Sequence, residues 1–418
     1  MIGAAYGILM DRTAAMVTAL LLVLATVAVP LTAGSPDVAG TSDATAADAD
    51  GRTPVPVDNS TARLVIPRDQ LDRSDVDDVR PDLGAALSNA GDDVHQRNLR
   101  VAVEERFEAA NSTNDRLIVI DQTLIDLEER TTALQQRHHD TIQRYANGTI
   151  GASELLRRLA ALDQTARDML ETVSYLRSRS NKMEGQPLID KINSLEARLD
   201  TLKGPVRQEA ARALTGTADS TGGFHVQVNG RNLVLATVDD GRYLREAYLA
   251  DNRGEQEGEF PELKTHTDAL ERQEEYYPWV WNTTINSGAV SLGSVHRTTQ
   301  RHSQGELVAY FDAYSGEVFY EIQDLRVSEM PKTTALNVTD NGLQVVVERT
   351  YPGGPMRVGV YDAATGQPVN AEVSVAGVDV GPTDADGAVQ AVEPRTEYEI
   401  AVQTPRTSTN VTVDPYEE

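Results

Sequence analysis

The pattern of apolar and polar positions divides the chain into stretches of different character. From Thr13 to Ala33 (TAAMVTALLLVLATVAVPLTA) no charged residue occurs over 21 positions. At roughly 1.5 Å per residue such a helix crosses a hydrocarbon core of about 30 Å. The run reads as an uncleaved N-terminal transmembrane anchor. A cleaved secretory signal is the second reading, because Leu31-Thr32-Ala33 before Gly34 is a weak small-residue cleavage site, and a buried soluble helix is the third. Arg12 alone precedes the run, and by the positive-inside rule it places the remainder of the chain outside the cytoplasm. Met10-Asp11-Arg12 makes a more ordinary start than Met1, so Met10 is a second candidate initiator. Residues 34–62 (GSPDVAGTSDATAADADGRTPVPVDNSTA) show no buried pattern and read as a disordered acidic stalk.

A short leading segment follows, in which Ser74 precedes an acidic turn and is expected to cap a short helix ending before Pro81. From about Asn98 to Leu214 the apolar spacing alternates between 3 and 4. One run is Leu117, Ile120, Leu124, Leu127, Thr131, Leu134, His138, Thr141 and Tyr145; the second is Leu155, Leu159, Leu162, Ala166, Met169, Val173 and Leu176; the third is Leu188, Ile192, Leu195, Leu199, Leu202 and Val206. Narrow heptad seams of this kind predict coiled-coil packing. Breaks at Asn147-Gly148 and around 181–186 fold the runs into an antiparallel helical bundle, with a long intermolecular coiled coil as the alternative. Pro205 would kink or restart the last helix.

From Gly222 the period changes to two. FHVQVNG, RNLVLATVDDGRYLREAYLA, GAVSLGSVHRT and GELVAYFDAYSGEVFYEIQDL alternate around turns at Asp240-Gly241 and Ser315-Gly316. FPELKTHTDALERQEEYYP, between them, predicts one helix, so residues 218–330 read as an α+β unit. Its aromatic knot, Tyr276-Tyr277-Pro278-Trp279-Val280-Trp281, suits core packing, with a sugar or peptide contact surface as the rarer use. The last stretch, 331–418, holds short strands separated by Gly, Pro and Asp turns and predicts a small β-sandwich.

Composition changes this picture in two ways. The chain has 64 acidic and 38 basic residues, a net charge of −26, which disfavours nucleic acid and anionic lipid as electrostatic partners. The excess is uneven: residues 96–214 carry 18 acidic and 18 basic residues, so the whole excess lies elsewhere. That marks 96–214 as the surface suited to self-packing or a protein partner. The absence of Cys excludes disulfides, thiolate metal sites and Cys nucleophiles. Candidate N-glycosylation acceptors, Asn-X-Ser/Thr, begin at Asn59, Asn111, Asn147, Asn282, Asn337 and Asn410.

Catalytic chemistry finds little footing. No G-x-S-x-G, H-E-x-x-H, G-x-x-x-x-G-K-S/T or G-x-G-x-x-G occurs. His138 and His139 point about 100° apart on a helix and cannot form an i, i+4 metal pair. His296 and His302 could approach one another near a hairpin, without a supporting carboxylate. Asp384-Ala385-Asp386-Gly387 opens like a calcium loop but places Arg395 at the twelfth position, so a β-turn is expected. Glu255, Glu257, Glu259 and Glu262 read as a solvated face. No catalytic, cofactor or metal residue is assigned.

Three resemblances follow from these motifs. VYDAATGQPVNAEVSVAG, TDADGAV and TEYEIAV, within 357–413, resemble the carboxypeptidase-regulatory or prealbumin-like β-sandwich, which implies a structural or adhesive module. GELVAYFDAYSGEVFYEI, after a helix, resembles the closing hairpin of PepSY-type domains, which implies a modulator of a secreted or membrane peptidase. The order of the apolar N-terminus, IPRDQLDRSDV, heptads ending LKGPVR, and GRYLREAY resembles a family of uncharacterised exported proteins of haloarchaea, and an acidic surface film suits a salty medium.

The expected protein is multidomain: anchor or signal (1–33), stalk (34–62), α-helical coiled-coil bundle with its leading segment (63–217), α+β unit (218–330) and all-β sandwich (331–418). Its expected role is non-enzymatic, binding or structural, in the cell envelope, as a single-pass membrane protein largely outside the cytoplasm, or secreted if the N-terminal segment is cut. An extracytoplasmic hydrolase is the remotest alternative.

Overall fold

The computed structural model describes residues 51–184, 186, 188–218, 223–254 and 260–417. The apolar run Thr13–Ala33 and the stalk up to residue 50 lie outside the described residues. Among the described residues no helix is long and apolar enough to cross a membrane.

Eight antiparallel strands form the central sheet, in the order β3 (Arg73–Asp77), β4 (Phe224–Asn229), β5 (Asn232–Asp239), β6 (Arg242–Tyr248), β10 (Val318–Arg326), β9 (Gly305–Asp312), β8 (Val295–His302) and β7 (Thr284–Leu292). The Asp240-Gly241 turn joins β5 to β6 with positive φ at both residues (44° and 71°), the hairpin geometry that Asp-Gly permits. One face of this sheet carries five helices: α1 (Leu83–Ala109), α2 (Thr113–Ala146), α3 (Ala152–Ser180), α4 (Ile189–Asp200) and α5 (Pro205–Leu214). The other face carries a hairpin, β1 (Val55–Val57) and β2 (Ser60–Arg63), the segment Leu64-Val65-Ile66, and two short helices, α6 (His266–Tyr276) and α7 (Pro278–Asn282). At the C-terminus two four-stranded sheets, β11 (Thr333–Asp340), β12 (Leu343–Arg349), β13 (Pro355–Asp362) and β16 (Ala388–Val392) against β15 (Val378–Pro382), β14 (Glu372–Val375), β17 (Tyr398–Gln403) and β18 (Ser408–Val413), enclose a valine-rich core. The protein is thus multidomain, with a helical middle region and a C-terminal all-β sandwich.

The heptad seams are buried, but they serve a layer on a sheet. Helix α2 buries Ile120, Leu124, Leu127, Thr131, Leu134, His138, Thr141 and Tyr145 as the spacing predicts. Helix α3 buries a second stripe as well, Leu156, Ala160 and Asp163, because it lies among α1, α2, α4 and α5. Seam residues also reach the sheet: the Tyr145 hydroxyl donates to Asp75 of β3 at 2.8 Å, and the His138 ring stands edge-on to Tyr248 of β6.

Three expectations need correction. The unpatterned stretch ends before residue 55: Val55, Ser60, Thr61, Ala62 and Arg63 are buried, and Ser60 donates to Gln304 at 2.8 Å. Strands of three and four residues are too short to display a period. Ser74 lies in strand β3, not in front of a helix, because Arg73, Asp75 and Asp77 are engaged by the α2–α3 turn at Ile150, Tyr145 and Ser153. The helix expected across 260–277 starts at His266, behind a capping box of Thr265 and Asp268, and Pro278 opens α7 as its first residue.

Buried charge joins the layers. Adjacent residues of a strand face opposite sides, so Arg245 and Glu246 of β6 serve opposite faces of the sheet. Towards the helices, the Glu246 carboxylate accepts from the backbone N–H of Val206 (2.7 Å) and Arg207 (3.1 Å), at the N-terminus of α5. The Arg207 guanidinium, fully buried, lies 3.0 Å from the same carboxylate as an ion pair, out of line for a hydrogen bond, and donates to the Leu202 carbonyl at 2.7 Å. Burial pushes the Glu246 carboxyl up from the usual range, against the pull of Arg207. Gly204 explains the GPVR motif: a Cβ there would lie 2.1 Å from the Glu246 carboxyl carbon, while its own N–H donates to Asp163 of α3 at 2.7 Å. On the opposite face Arg245 pairs with Glu321 at 2.6 Å and also donates to the Leu64 carbonyl, and Tyr277 of α6–α7 donates to Glu321 at 2.7 Å.

The sandwich is held by the same means. Arg63 stacks over the Tyr351 ring at 3.8 Å, Arg395 donates to the Ile66 carbonyl and to Gln227, and Tyr243 donates to the Gly353 carbonyl at 3.0 Å. Residues 41–418 accordingly form one compact unit.

Two outcomes test this account. Gly204→Ala is expected to lower the unfolding free energy in urea by about 3 kcal/mol, the scale of breaking a buried pair; a change below about 1 kcal/mol would refute the close approach to Glu246. A fragment of residues 224–331, lacking β3 and the Leu64 segment, is expected to show no cooperative melt by circular dichroism where residues 51–418 show one.

Candidate functional site

The outer face of the helical layer is the candidate surface. Its ion pairs repeat at heptad-like spacing but lie within the chain. Asp121 of α2 meets Lys191 of α4 at 2.7 Å, and seven residues on in both helices Glu128 meets Arg198 at 3.7 Å. Arg100 and Glu108 of α1 meet Glu171 and Arg179 of α3, and Arg177 of α3 meets Glu196 of α4. Part of the balanced charge of 96–214 is therefore spent on holding α1 beside α3 and α2 beside α4 in parallel register. Such exposed pairs contribute about 0–1 kcal/mol each.

Apolar residues remain on this face. Ile118 and Ile125, one heptad apart on α2, are 46% and 45% exposed, and Val101 of α1 is 45% exposed. Ile125 borders a groove of about 270 Å³ between Leu124 and Glu128 of α2 and Lys191, Leu195 and Arg198 of α4. Heptad reading missed both isoleucines, since each follows a seam position, Leu117 or Leu124, by one residue. An isoleucine beside a seam leucine, repeated after seven residues, is the signal that could have found them. A smaller pocket of about 160 Å³ lies where α2 and the α4–α5 turn meet the sheet, between Gln135, His138, Thr201, Arg231 and Tyr248. Among the described residues the Nε2 atom of His138 has no hydrogen-bond partner, and burial together with nearby Arg207 holds this imidazole well below its ordinary pKa.

The residues singled out by sequence are dispersed. His296 and His302 stand at opposite ends of β8: His296 contacts Ser291 Oγ (2.9 Å) and the Leu263 carbonyl (3.2 Å), and His302 lies edge-on to Trp279. Among the described residues no group of three or more His, Asp or Glu is placed to hold a metal. Asp384 accepts from the backbone N–H of Asp386 and Ala388, so its carboxylate shapes the turn before β16. Glu262 pairs with Arg272, while Glu255, Glu257 and Glu259 lie outside the described residues. In the aromatic knot Tyr277 and Val280 are buried, and both tryptophans are half-buried at the edge of that core. All six sequon asparagines, Asn59, Asn111, Asn147, Asn282, Asn337 and Asn410, are exposed.

Histidine burial carries a pH dependence. Burial, with Arg395 and Arg245 near, lowers His225 to about 3, and burial with Arg326 lowers His302 to about 4, from an ordinary 6.5. The unfolded chain takes up these protons near pH 6.5 and the folded chain does not, so stability is fully present above pH 6.5 and falls as the pH drops towards 4. The expected slope is on the order of 1 kcal/mol per pH unit for each histidine. His225→Gln should flatten the urea-midpoint profile between pH 6 and 4; an unchanged slope would show that His225 does not contribute.

Residues 224–331 match the model of a family of unknown function (DUF7094), and residues 333–411 match the archaeal fibronectin-III type-like domain, the β-sandwich seen here. No curated protein and no solved structure matches the chain. Residues 10–219, half of the chain, match the domain of unknown function DUF7096, and with the two further matches the chain belongs to this uncharacterised archaeal family.

Proposed function

We propose that this protein is a non-enzymatic, membrane-tethered component of the cell envelope, with its bulk outside the cytoplasm, that binds a protein partner through the outer face of α2 and α4. One observation carries the reading: in a chain of net charge −26, the charge-balanced helical region leaves Ile118 and Ile125 exposed, Ile125 beside a groove. Apolar contact area rimmed by paired charges suits a protein partner. The strongly buried charged groups Glu246, Arg207, Arg245 and Glu321 pair with one another and hold layers together. The acidic exterior of the remaining regions suits a salty medium. A second reading, a PepSY-like modulator of a secreted or membrane peptidase, draws on helices α6 and α7 preceding, by way of β7 and β8, the β9–β10 hairpin at Asp312–Val318.

Fractionation of cells tests the tether. The protein is expected in the membrane pellet, released by detergent and not by salt, and a C-terminal tag is expected to be digested by protease added to intact cells. A soluble, protected protein would overturn the reading. A photocrosslinking residue at Ile125 is expected to capture a discrete protein that the same residue at Glu399 of β17 does not. Equal capture at both positions would remove the helical face from the proposal.

A further inference from the structure

An unpaired strand edge displays a row of free backbone donors and acceptors, and proteins protect such edges with charge, proline, bulges or cover. The three larger sheets have six edges, and three are protected in those ways. Strand β3 carries Arg73, Asp75 and Asp77 and lies under the α2–α3 turn. Strand β16 packs against β5, and β15 carries Asp379 and Pro382 with Gly381 at φ +100°. The other three edges contain no proline; β7 and β11 each shift register once, at Thr284–Asn286 and Thr334–Leu336, and β18 keeps its register. Strands β7 (TINSGAVSL) and β18 (STNVTV) contain no charged residue, and β11 (TTALNVTD) only its last, Asp340. Ile285 of β7 is 76% exposed.

Each of these three edges carries or adjoins a sequon. Asn282-Thr283-Thr284 runs directly into β7, Asn337-Val338-Thr339 lies within β11 and Asn410-Val411-Thr412 within β18. On the two sandwich strands the alternation turns Asn and Thr outward together, with all four exposed. The Asn337 Oδ1 atom accepts from Gln344 at 2.9 Å, so that bond uses the amide oxygen and not Nδ2. Asn410 Nδ2 donates one hydrogen to Glu399 at 3.2 Å, and an amide glycosylated at that nitrogen keeps one hydrogen for the bond. Strands β11 and β18 lie on the same open side of the sandwich, tied by Thr409 to Asp340 at 2.6 Å. The remaining sequons sit in turns: Asn59 between β1 and β2, Asn111 before the α2 cap, Asn147 at the α2 C-terminus.

We propose that Asn282, Asn337 and Asn410 are N-glycosylated and that these glycans keep the charge-poor edges β7, β11 and β18 from pairing with strands of other chains. The proposal rests on the extracytoplasmic placement above. In the transfer, Asn Nδ2 forms a bond to the anomeric carbon of a saccharide carried on a polyprenyl phosphate. The anomeric carbon–oxygen bond to that phosphate breaks, and one amide proton leaves with the released phosphate. A bulky hydrated saccharide beside the edge then clashes with any incoming strand, which would lie about 4.8 Å away.

The test uses the full chain purified from the cells that make it. Glycopeptide mass spectrometry is expected to find saccharide on Asn282, Asn337 and Asn410. Unmodified peptides at these three sites, in a protein that protease digests on intact cells, would overturn the inference and leave the placement standing; a protease-protected protein would overturn the placement itself. A T284A/T339A/T412A chain is expected to sediment with at least twice the weight-average mass of the T284S/T339S/T412S chain, which keeps its sequons. Equal masses would refute shielding. Should the alanine chain misfold by circular dichroism, N282Q/N337Q/N410Q, which leaves the threonines in place, gives the same comparison against the unaltered chain.

Discussion

The contact of Glu246 with the N-terminus of α5 decides how this protein is put together. A carboxylate with almost no exposure is stabilised by two backbone N–H groups, the positive end of a helix and one buried guanidinium. Each partner comes from a different level of the chain. Gly204 allows the approach, Pro205 starts the helix, Arg207 supplies the charge, and β6 fixes the position of Glu246. Desolvating such a pair is costly unless its hydrogen bonds are made, so the arrangement tolerates one docking of the helical layer on the sheet and penalises others.

The opposite face repeats the device with Arg245, Glu321 and Tyr277, drawing in the Leu64 segment. Two neighbouring residues of one strand therefore hold a layer on each side of it. Three family matches meet in this region, and their borders do not coincide with independent cores. Strand β3, from the first matched region, completes the sheet of the second, and Arg395 of the third reaches Ile66 of the first and Gln227 of the second. The proposed binding face on α2 and α4 is consequently part of the same compact unit as the sheet and the sandwich. The helical ion pairs that align α1 with α3 and α2 with α4 keep that face regular.

Much of the fold was legible from periodicity. The seams of α2 and α3, the start of a helix at Pro205, the Asp240-Gly241 hairpin and the sandwich strands follow from spacing and turn chemistry, because burial on one side imposes a period of 3.6 or 2. Other parts had no period to show. Strands β1 and β2 are too short to show a period, and Ser60 and Thr61 are buried because Gln304 and the sheet lie against the hairpin. Strand β3 reads as an acidic turn until Tyr145 and Ser153 come to meet it. The candidate face was half legible: charge balance pointed to residues 96–214, but which Arg and Glu were already paired depended on how the helices lie beside one another.

By itself, then, the sequence determined the kinds of element, their order, and a chemistry limited to oxygen, nitrogen and thioether side chains. It also carried both halves of the Arg207–Glu246 lock as the motifs LKGPVR and GRYLREAY, though without any sign that one answers the other. Only the tertiary structure decided that Arg207 and Glu246 meet, that Arg245 and Glu246 serve opposite faces, and which strands end as free edges. The reason is physical: periodicity records how one element meets solvent, whereas pairing across 39 residues, as between Arg207 and Glu246, depends on relative placement.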